Sequence, residues 1–214
     1  MQNTSHAVMA QRSEARDSRD DFPTPPWATR ALLTHVLKAP LATGAMTCLE
    51  PACGAGHMDK VLSEFFKETA ASDIYPYGYG TVADFLKMPL EVGSFDWVIT
   101  NPPFNLAEEF VARALPVARR GVAILARTVF MESRGRYERL FKPTPPAIFA
   151  QFVERVPMVK GRLDQRASTA TGYAWFIWLT EGSRSTQALW IPPCRKVLET
   201  ELDYELPPSR MSSR

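Results

Sequence analysis

The sequence predicts an α/β fold with a mostly parallel sheet, and two stretches carry that prediction. In the first, Thr47–Glu50 reads as a short apolar strand and Pro51–Gly56 as a tight turn. His57–Phe66 then continues as a helix, apolar at Met58, Val61, Leu62, Phe65 and Phe66. Strand, glycine turn and helix in this order make a nucleotide-binding unit, because glycine lets the backbone approach a ligand closely. In the second stretch, Asp96–Thr100 reads as a buried strand that breaks at Pro102 and Pro103. Asn101 is thereby left at the sheet edge where open α/β folds bind ligands.

Composition sets the bounds. The chain has 214 residues, 45% hydrophobic and 22% charged, enough for one domain with a sizeable core. A net charge of +2 neither demands nor excludes a polyanionic partner. No apolar run is long enough to span a membrane and the polar start does not read as a signal peptide, so a cytoplasmic protein is expected. Cys48, Cys53 and Cys194 are an odd number with no Cys-x-x-Cys pair, which argues against a disulfide framework or a metal site. No internal repeat is present.

In chain order, residues 1–21 are polar and charged and are expected to form a disordered arm. A single domain is expected over 22–195 and a flexible tail over 196–214. Phe22-Pro23-Thr24-Pro25-Pro26 leads into a helical pattern at Ala28, Leu32, Leu33, Val36 and Leu37, with proline suited to the first helical turn. Thr69–Ile74 reads as the second strand. Asp73 stands 19 residues after Gly54, close to the ~20-residue spacing at which an acidic side chain meets a ribose hydroxyl pair. Tyr75–Gly80 is an aromatic loop, and 45 residues separate Gly56 from Asn101, room for two βα units. Leu106–Ala118 is a predicted helix and Gly121–Ala126 a fifth strand. Ala147–Val153 and Ala174–Thr180 are expected as a closing hairpin, with Trp175 and Trp178 in the core, and Leu189–Cys194 as an edge segment.

Asn101-Pro102-Pro103-Phe104 carries the chemistry. The Asn101 side-chain oxygen and the Pro102 carbonyl can accept the two hydrogens of an exocyclic amino group, while Phe104 stacks on the attached ring. Prolines keep this backbone rigid and out of a helix. A strand followed by a Pro-rich turn is the plainer reading of the same four residues.

Asn-Pro-Pro-Phe resembles the catalytic motif of the S-adenosylmethionine-dependent, amino-methylating methyltransferases, above all the N6-adenine DNA methyltransferases. Glu50-Pro51-x-x-Gly54-x-Gly56 resembles their first motif, and Phe22-x-Thr24-Pro25-Pro26 their N-terminal cofactor segment. The resemblance implies a Rossmann-like class I methyltransferase fold of about seven strands with an antiparallel last strand. It assigns catalysis to Asn101, Pro102, Pro103 and Phe104. S-adenosyl-L-methionine would lie against Phe22, Thr24, Pro25, Glu50, Pro51, Ala52, Gly54, Gly56, Asp73, Ile74, Asp84, Phe85 and Asn101. There Glu50 would hold the methionyl end, Asp73 the ribose, Asp84 the adenine amino group and Phe85 the adenine ring. The motifs span Phe22 to Thr180, with no substantial target-recognition domain, which leaves DNA or RNA as the polymer.

Between Val111 and Lys142 eight basic residues face only Glu132 and Glu138. Arg113, Arg134, Arg136 and Arg139 from this stretch, with Lys160, Arg162 and Arg166 from a polar loop, are the expected phosphate contacts. A solvated basic face is the alternative. Two other functions share these motifs: methylation of a protein glutamine amide, and nucleic-acid binding on a decayed methyltransferase scaffold. Cys194, far beyond the catalytic strand, is not expected to be a cytosine-C5 nucleophile.

Overall fold

A computed structural model describes residues 20–38, 44–181 and 185–204. The expected disordered arm, up to residue 19, lies outside the described residues. Eight strands form one sheet: β1 (Thr47–Glu50), β2 (Glu68–Asp73), β3 (Thr81–Val82), β4 (Phe95–Thr100), β5 (Ala118–Arg127), β6 (Ile148–Phe152), β7 (Tyr173–Leu179) and β8 (Gln187–Ile191). Their spatial order is β3-β2-β1-β4-β5-β7-β6-β8. Only β7 runs against its neighbours, β5 and β6. The α/β class and the antiparallel closing strand are as expected. β8 extends the sheet by pairing parallel to β6, so the expected edge segment is a full eighth strand.

The sheet is buried on both faces because its central strands carry apolar residues at successive positions. Cys48, Trp97, Ile99, Ala123, Leu125, Trp175 and Ile177 face one layer. That layer is completed by α1 (Pro26–Ala31, continued by a π-helical turn to Val36) and α2 (His57–Leu62). Leu49, Val98, Val122, Ile124, Ala174, Phe176 and Trp178 face the other, beneath α3 (Ala107–Val117). Trp175 and Trp178 are core as expected, and each indole N–H finds a carbonyl, Ala28 at 3.1 Å and Thr144 at 2.9 Å. Gly121 lies between these layers, where a Cβ would sit 2.7 Å from both the Trp178 carbonyl oxygen and the Trp97 ring. Gly121→Ala should therefore cost about 1–3 kcal/mol through overpacking, read as a lowered melting temperature.

Two expectations need correction. Between Gly56 and Asn101 the chain forms α2 and β2, but no helix stands between β2 and β4, so the second of the two βα units expected in that span is absent. Pro76, Gly78, Gly80, Pro89 and Gly93 punctuate 74–94 too densely for one, and three of these glycines take positive φ. The tail expected from 196 is packed as far as Tyr204. After α4 (Arg134–Arg136), α5 (Arg195–Leu198) and a 3-10 turn (Glu201–Tyr204) close the described chain. Arg30 of α1 holds that end by bonding the Leu198 carbonyl at 3.0 Å and Asp203 at 2.8 Å, while also pairing with Glu64 at 2.6 Å.

Candidate active site

A cleft of about 850 Å³, counting its open mouth, lies at the C-terminal edge of β1, β2 and β4. Of the residues expected to hold cofactor, Phe22, Thr24, Glu50, Pro51, Ala52, Gly54, Asp73, Ile74, Asp84, Phe85 and Asn101 line it, together with Pro103. Pro25, Gly56, Pro102 and Phe104 do not. Pro25 instead caps α1, its carbonyl accepting from Ala28 N at 2.9 Å. Gly56 is glycine for a packing reason: φ is +83° and a Cβ would lie 2.5 Å from the Tyr79 ring.

Parallel pairing with β2 sets the height of β1 and places Glu50 at its buried end, 2% exposed. Among the described residues its Oε2 has no hydrogen-bond partner, and neither does Oδ1 of the buried Asp59. Burial drives the Glu50 carboxyl well above its ordinary range, with Asp59 and Asp73 nearby adding to the shift. Below it, the Tyr79 hydroxyl donates to Asp59 Oδ2 at 2.6 Å. Burial also pushes the Cys53 thiol up to about 12 and His57 down to about 4. A cation placed at the foot of the cleft would favour the Glu50 carboxylate over its neutral form, so the site is suited to a cationic group.

Asp73 holds the glycine turn: Oδ2 accepts from Gly54 N at 2.9 Å and Oδ1 from Tyr75 N at 3.0 Å. Each oxygen keeps a second lone pair for a ligand hydroxyl. Asp84 likewise folds its own turn, accepting from Leu86 N at 3.0 Å, and pairs with Lys87 at 3.1 Å. Phe85 is buried and packs on Phe110 at 5.1 Å between centroids.

Asn101 follows β4 directly. Its Nδ2 donates to the Phe22 carbonyl at 2.9 Å and to Thr24 Oγ1 at 3.1 Å, with Met158 Sδ at 3.8 Å. A backbone carbonyl can only accept, so these contacts fix which end of the amide is nitrogen. Oδ1 is left buried and, among the described residues, without a partner. The Pro103 carbonyl is taken by Leu106 N at 2.9 Å, whereas among the described residues the Pro102 carbonyl accepts nothing. Asn101 Oδ1 and the carbonyl of the next residue, Pro102, are thus both left as acceptors.

Phe104 departs from expectation. Its ring is covered by the Arg127 guanidinium, 4.0 Å from the centroid, and it packs against Phe22 and Tyr173 at 5.3 and 6.5 Å. Its backbone N–H donates to Asp20 Oδ2 at 2.7 Å. Asp20 and Asp21 also line the cleft, so the segment expected to be a disordered arm reaches the site at its last two residues.

The eight basic residues of 113–142 do not form one surface. Arg119 and Arg120 lie at the opposite edge of the sheet against Asp96, at 3.0 and 3.5 Å, and Arg119 holds that carboxylate down to about 2. Arg113 donates to the Met88 carbonyl at 2.8 Å. Arg136 stacks on Phe130 at 4.2 Å and Arg139 pairs with Glu108 at 2.6 Å, while Arg134 is exposed. Lys160, Arg162 and Arg166 are exposed on the connection from β6 to β7. Met158 and Gly161 of that connection touch Asn101 and the Asp21 carbonyl, the latter at 2.8 Å.

Sequence reasoning missed Asp20, Asp21, Arg127, Met158 and Tyr173. Only the first two had a local signal, being adjacent to Phe22-x-Thr-Pro-Pro.

No family model matches the chain, and no curated protein does. Solved structures do match. A protein from Listeria monocytogenes, assigned as a class I S-adenosylmethionine-dependent methyltransferase, aligns with TM-score 0.58 and 12% identity, over 82% of this chain and 67% of its own. The modification subunit of an assigned type I restriction enzyme from Vibrio vulnificus aligns with TM-score 0.59 and 14% identity over 83% of this chain. This chain spans about half, 48%, of that subunit. A Pyrococcus horikoshii protein assigned as an RNA methyltransferase gives TM-score 0.55 and 14% identity, over 74% and 86%. The chain has the Rossmann-like fold of the class I methyltransferases.

Proposed function

We propose that this protein transfers a methyl group from S-adenosylmethionine to the N6 amino group of adenine in nucleic acid, DNA first and RNA second. The observation that carries the reading is the pinned Asn101 amide at the cleft, whose Nδ2 is held by Phe22 and Thr24 while Oδ1 is left as an acceptor among the described residues.

The cleft residues fit the cofactor. The unpartnered Glu50 oxygen would meet the methionyl ammonium, Asp73 the ribose hydroxyls, and Asp84, Phe85 and Ile74 the adenine. When bound, S-adenosylmethionine supplies an electrophilic methyl group on a sulfonium that leaves as a neutral thioether. Asn101 and Pro102 do the rest of the work. Adenine N6 is a poor nucleophile because its lone pair is delocalised into the ring. Accepting both N–H bonds favours a pyramidal nitrogen and holds its lone pair on the line of displacement. Orientation of this kind supplies much of the acceleration, no enzyme nucleophile is required, and the methylated nitrogen then sheds its surplus proton to water. A duplex base must first leave the stack.

The test is tritiated methyl transfer to unmethylated DNA, to RNA and to protein extract, followed by nucleoside analysis. N6-methyladenine in DNA or RNA is expected. Label confined to protein would overturn the reading in favour of a glutamine amide, and no label anywhere in favour of a binding module. The placement of the cations adds a second expectation. Reversing Lys160, Arg162 and Arg166 to Glu should weaken nucleic-acid binding and flatten its salt dependence by ~0.9 for each phosphate no longer neutralised. Reversing Arg120 should leave that slope unchanged, since it lies at the far edge of the sheet. Filter binding across a salt series reads both.

A further inference from the structure

Arg127, at the C-terminal end of β5, has no part in the chemistry above yet occupies its most important surface. Its guanidinium carbon lies 4.0 Å from the Phe104 ring centroid and 6.0 Å from that of Phe22. The antiparallel register of β5 and β7 sets Arg127 opposite Tyr173. The Arg127 Nε is buried with no partner among the described residues. At 4.0 Å the planar cation is in stacking contact, and no second ring fits between it and Phe104. Phe22 and Tyr173 pack against the same ring. The part of the Phe104 ring that the guanidinium covers is closed to a planar substrate until Arg127 leaves.

We propose that Arg127 holds the ring slot of Phe104 in the free protein and exchanges places with the target base. The displaced guanidinium then meets the phosphate attached to the target nucleoside. This proposal rests on the amino-methylating reading of Asn101 and deepens it by naming what the slot selects. The exchange replaces one stacking partner with another, so the ring loses little when the cation leaves. The guanidinium gains, because a buried N–H without an acceptor is costly and a phosphate offers the bidentate partner that its planar fork matches. A glutamine side chain provides neither a ring to take the slot nor an anion to receive Arg127. The device therefore favours a nucleotide within a polymer over a protein amide and over a free nucleoside.

The test compares wild type, Arg127→Ala and Arg127→Lys for binding of adenosine and of a short adenine-containing oligonucleotide, by equilibrium dialysis across a salt series. Arg127→Ala should bind adenosine several-fold more tightly than wild type, because its slot is open. It should bind the oligonucleotide several-fold more weakly, with the salt slope reduced by about one phosphate's share. Arg127→Lys should restore that slope while keeping the gain for adenosine, since an ammonium carries the charge without the stacking plane. Equal adenosine binding by wild type and both variants would overturn the proposal, as would adenosine and oligonucleotide affinities moving in the same direction. Thermal melting of the Lys variant checks that the fold is kept. All of the deciding readouts are binding measurements. A wild type that methylates no nucleic acid would sink the functional reading on its own, with the exchange still decided by the dialysis.

Discussion

Asn101→Ala should lower methyl transfer by on the order of a hundredfold or more, the usual cost of removing a preorganised polar group from a reacting centre. The geometry divides the amide into two jobs. Oδ1 is the free acceptor, whereas Nδ2 ties down Phe22 and Thr24 at 2.9 and 3.1 Å. The alanine variant loses both, so cofactor affinity should fall modestly along with the rate, because the strap formed by Asp20–Thr24 loses its anchor. Asn101→Asp separates the two effects. It keeps an acceptor but turns a carboxylate oxygen toward the Phe22 carbonyl, so the strap should loosen more than in the alanine variant. Single-turnover transfer together with calorimetric titration of S-adenosylmethionine distinguishes these outcomes. An alanine variant with the wild-type single-turnover rate would remove Asn101 from the chemistry.

The sequence made the fold class and the floor of the cleft legible for a physical reason. Glu50, the Gly54 turn, Asp73 and Asn101 all sit at strand ends, and strand ends are marked by the switch from apolar runs to glycine, proline and acidic residues. The walls were less legible because they come from distant parts of the chain. Arg127 reads as one more cation in a basic stretch, and only the antiparallel register that sets it opposite Tyr173 brings it to Phe104. Charge counting failed for a related reason. Arg119 and Arg136 are close in sequence, but β5 runs between them, so one lies at each edge of the sheet. Gly56 belongs to a motif shared with cofactor-binding turns, whereas the Tyr79 ring explains the glycine. Such a packing constraint comes from a loop 23 residues further on and leaves no trace in local pattern.

The affinity for S-adenosylmethionine should rise with pH, and Glu50 should be the cause. In the free protein burial, with Asp59 and Asp73 close by, lifts its carboxyl well above 4.5, so the carboxyl holds a proton into the range where an exposed glutamate is ionised. A cation bound against it favours the carboxylate and lowers that value again. Between the bound and free values, binding therefore releases a proton, and affinity gains up to about tenfold per pH unit, or ~1.4 kcal/mol. Above the free value the curve flattens. The stability of the ligand-free protein has the opposite slope. A carboxyl whose folded value is raised contributes fully below the ordinary carboxylate range, and that contribution is lost as pH rises through the folded value. Glu50→Gln keeps the shape and removes the titration. It should bind cofactor weakly at every pH, and it should melt above wild type at high pH when no cofactor is present. Calorimetry in two buffers of different ionisation enthalpy reads the proton release directly. Equal apparent enthalpies in both buffers, with a pH-independent dissociation constant, would show that Glu50 is already ionised in the free site and would move the burden of holding the cation to Asp59.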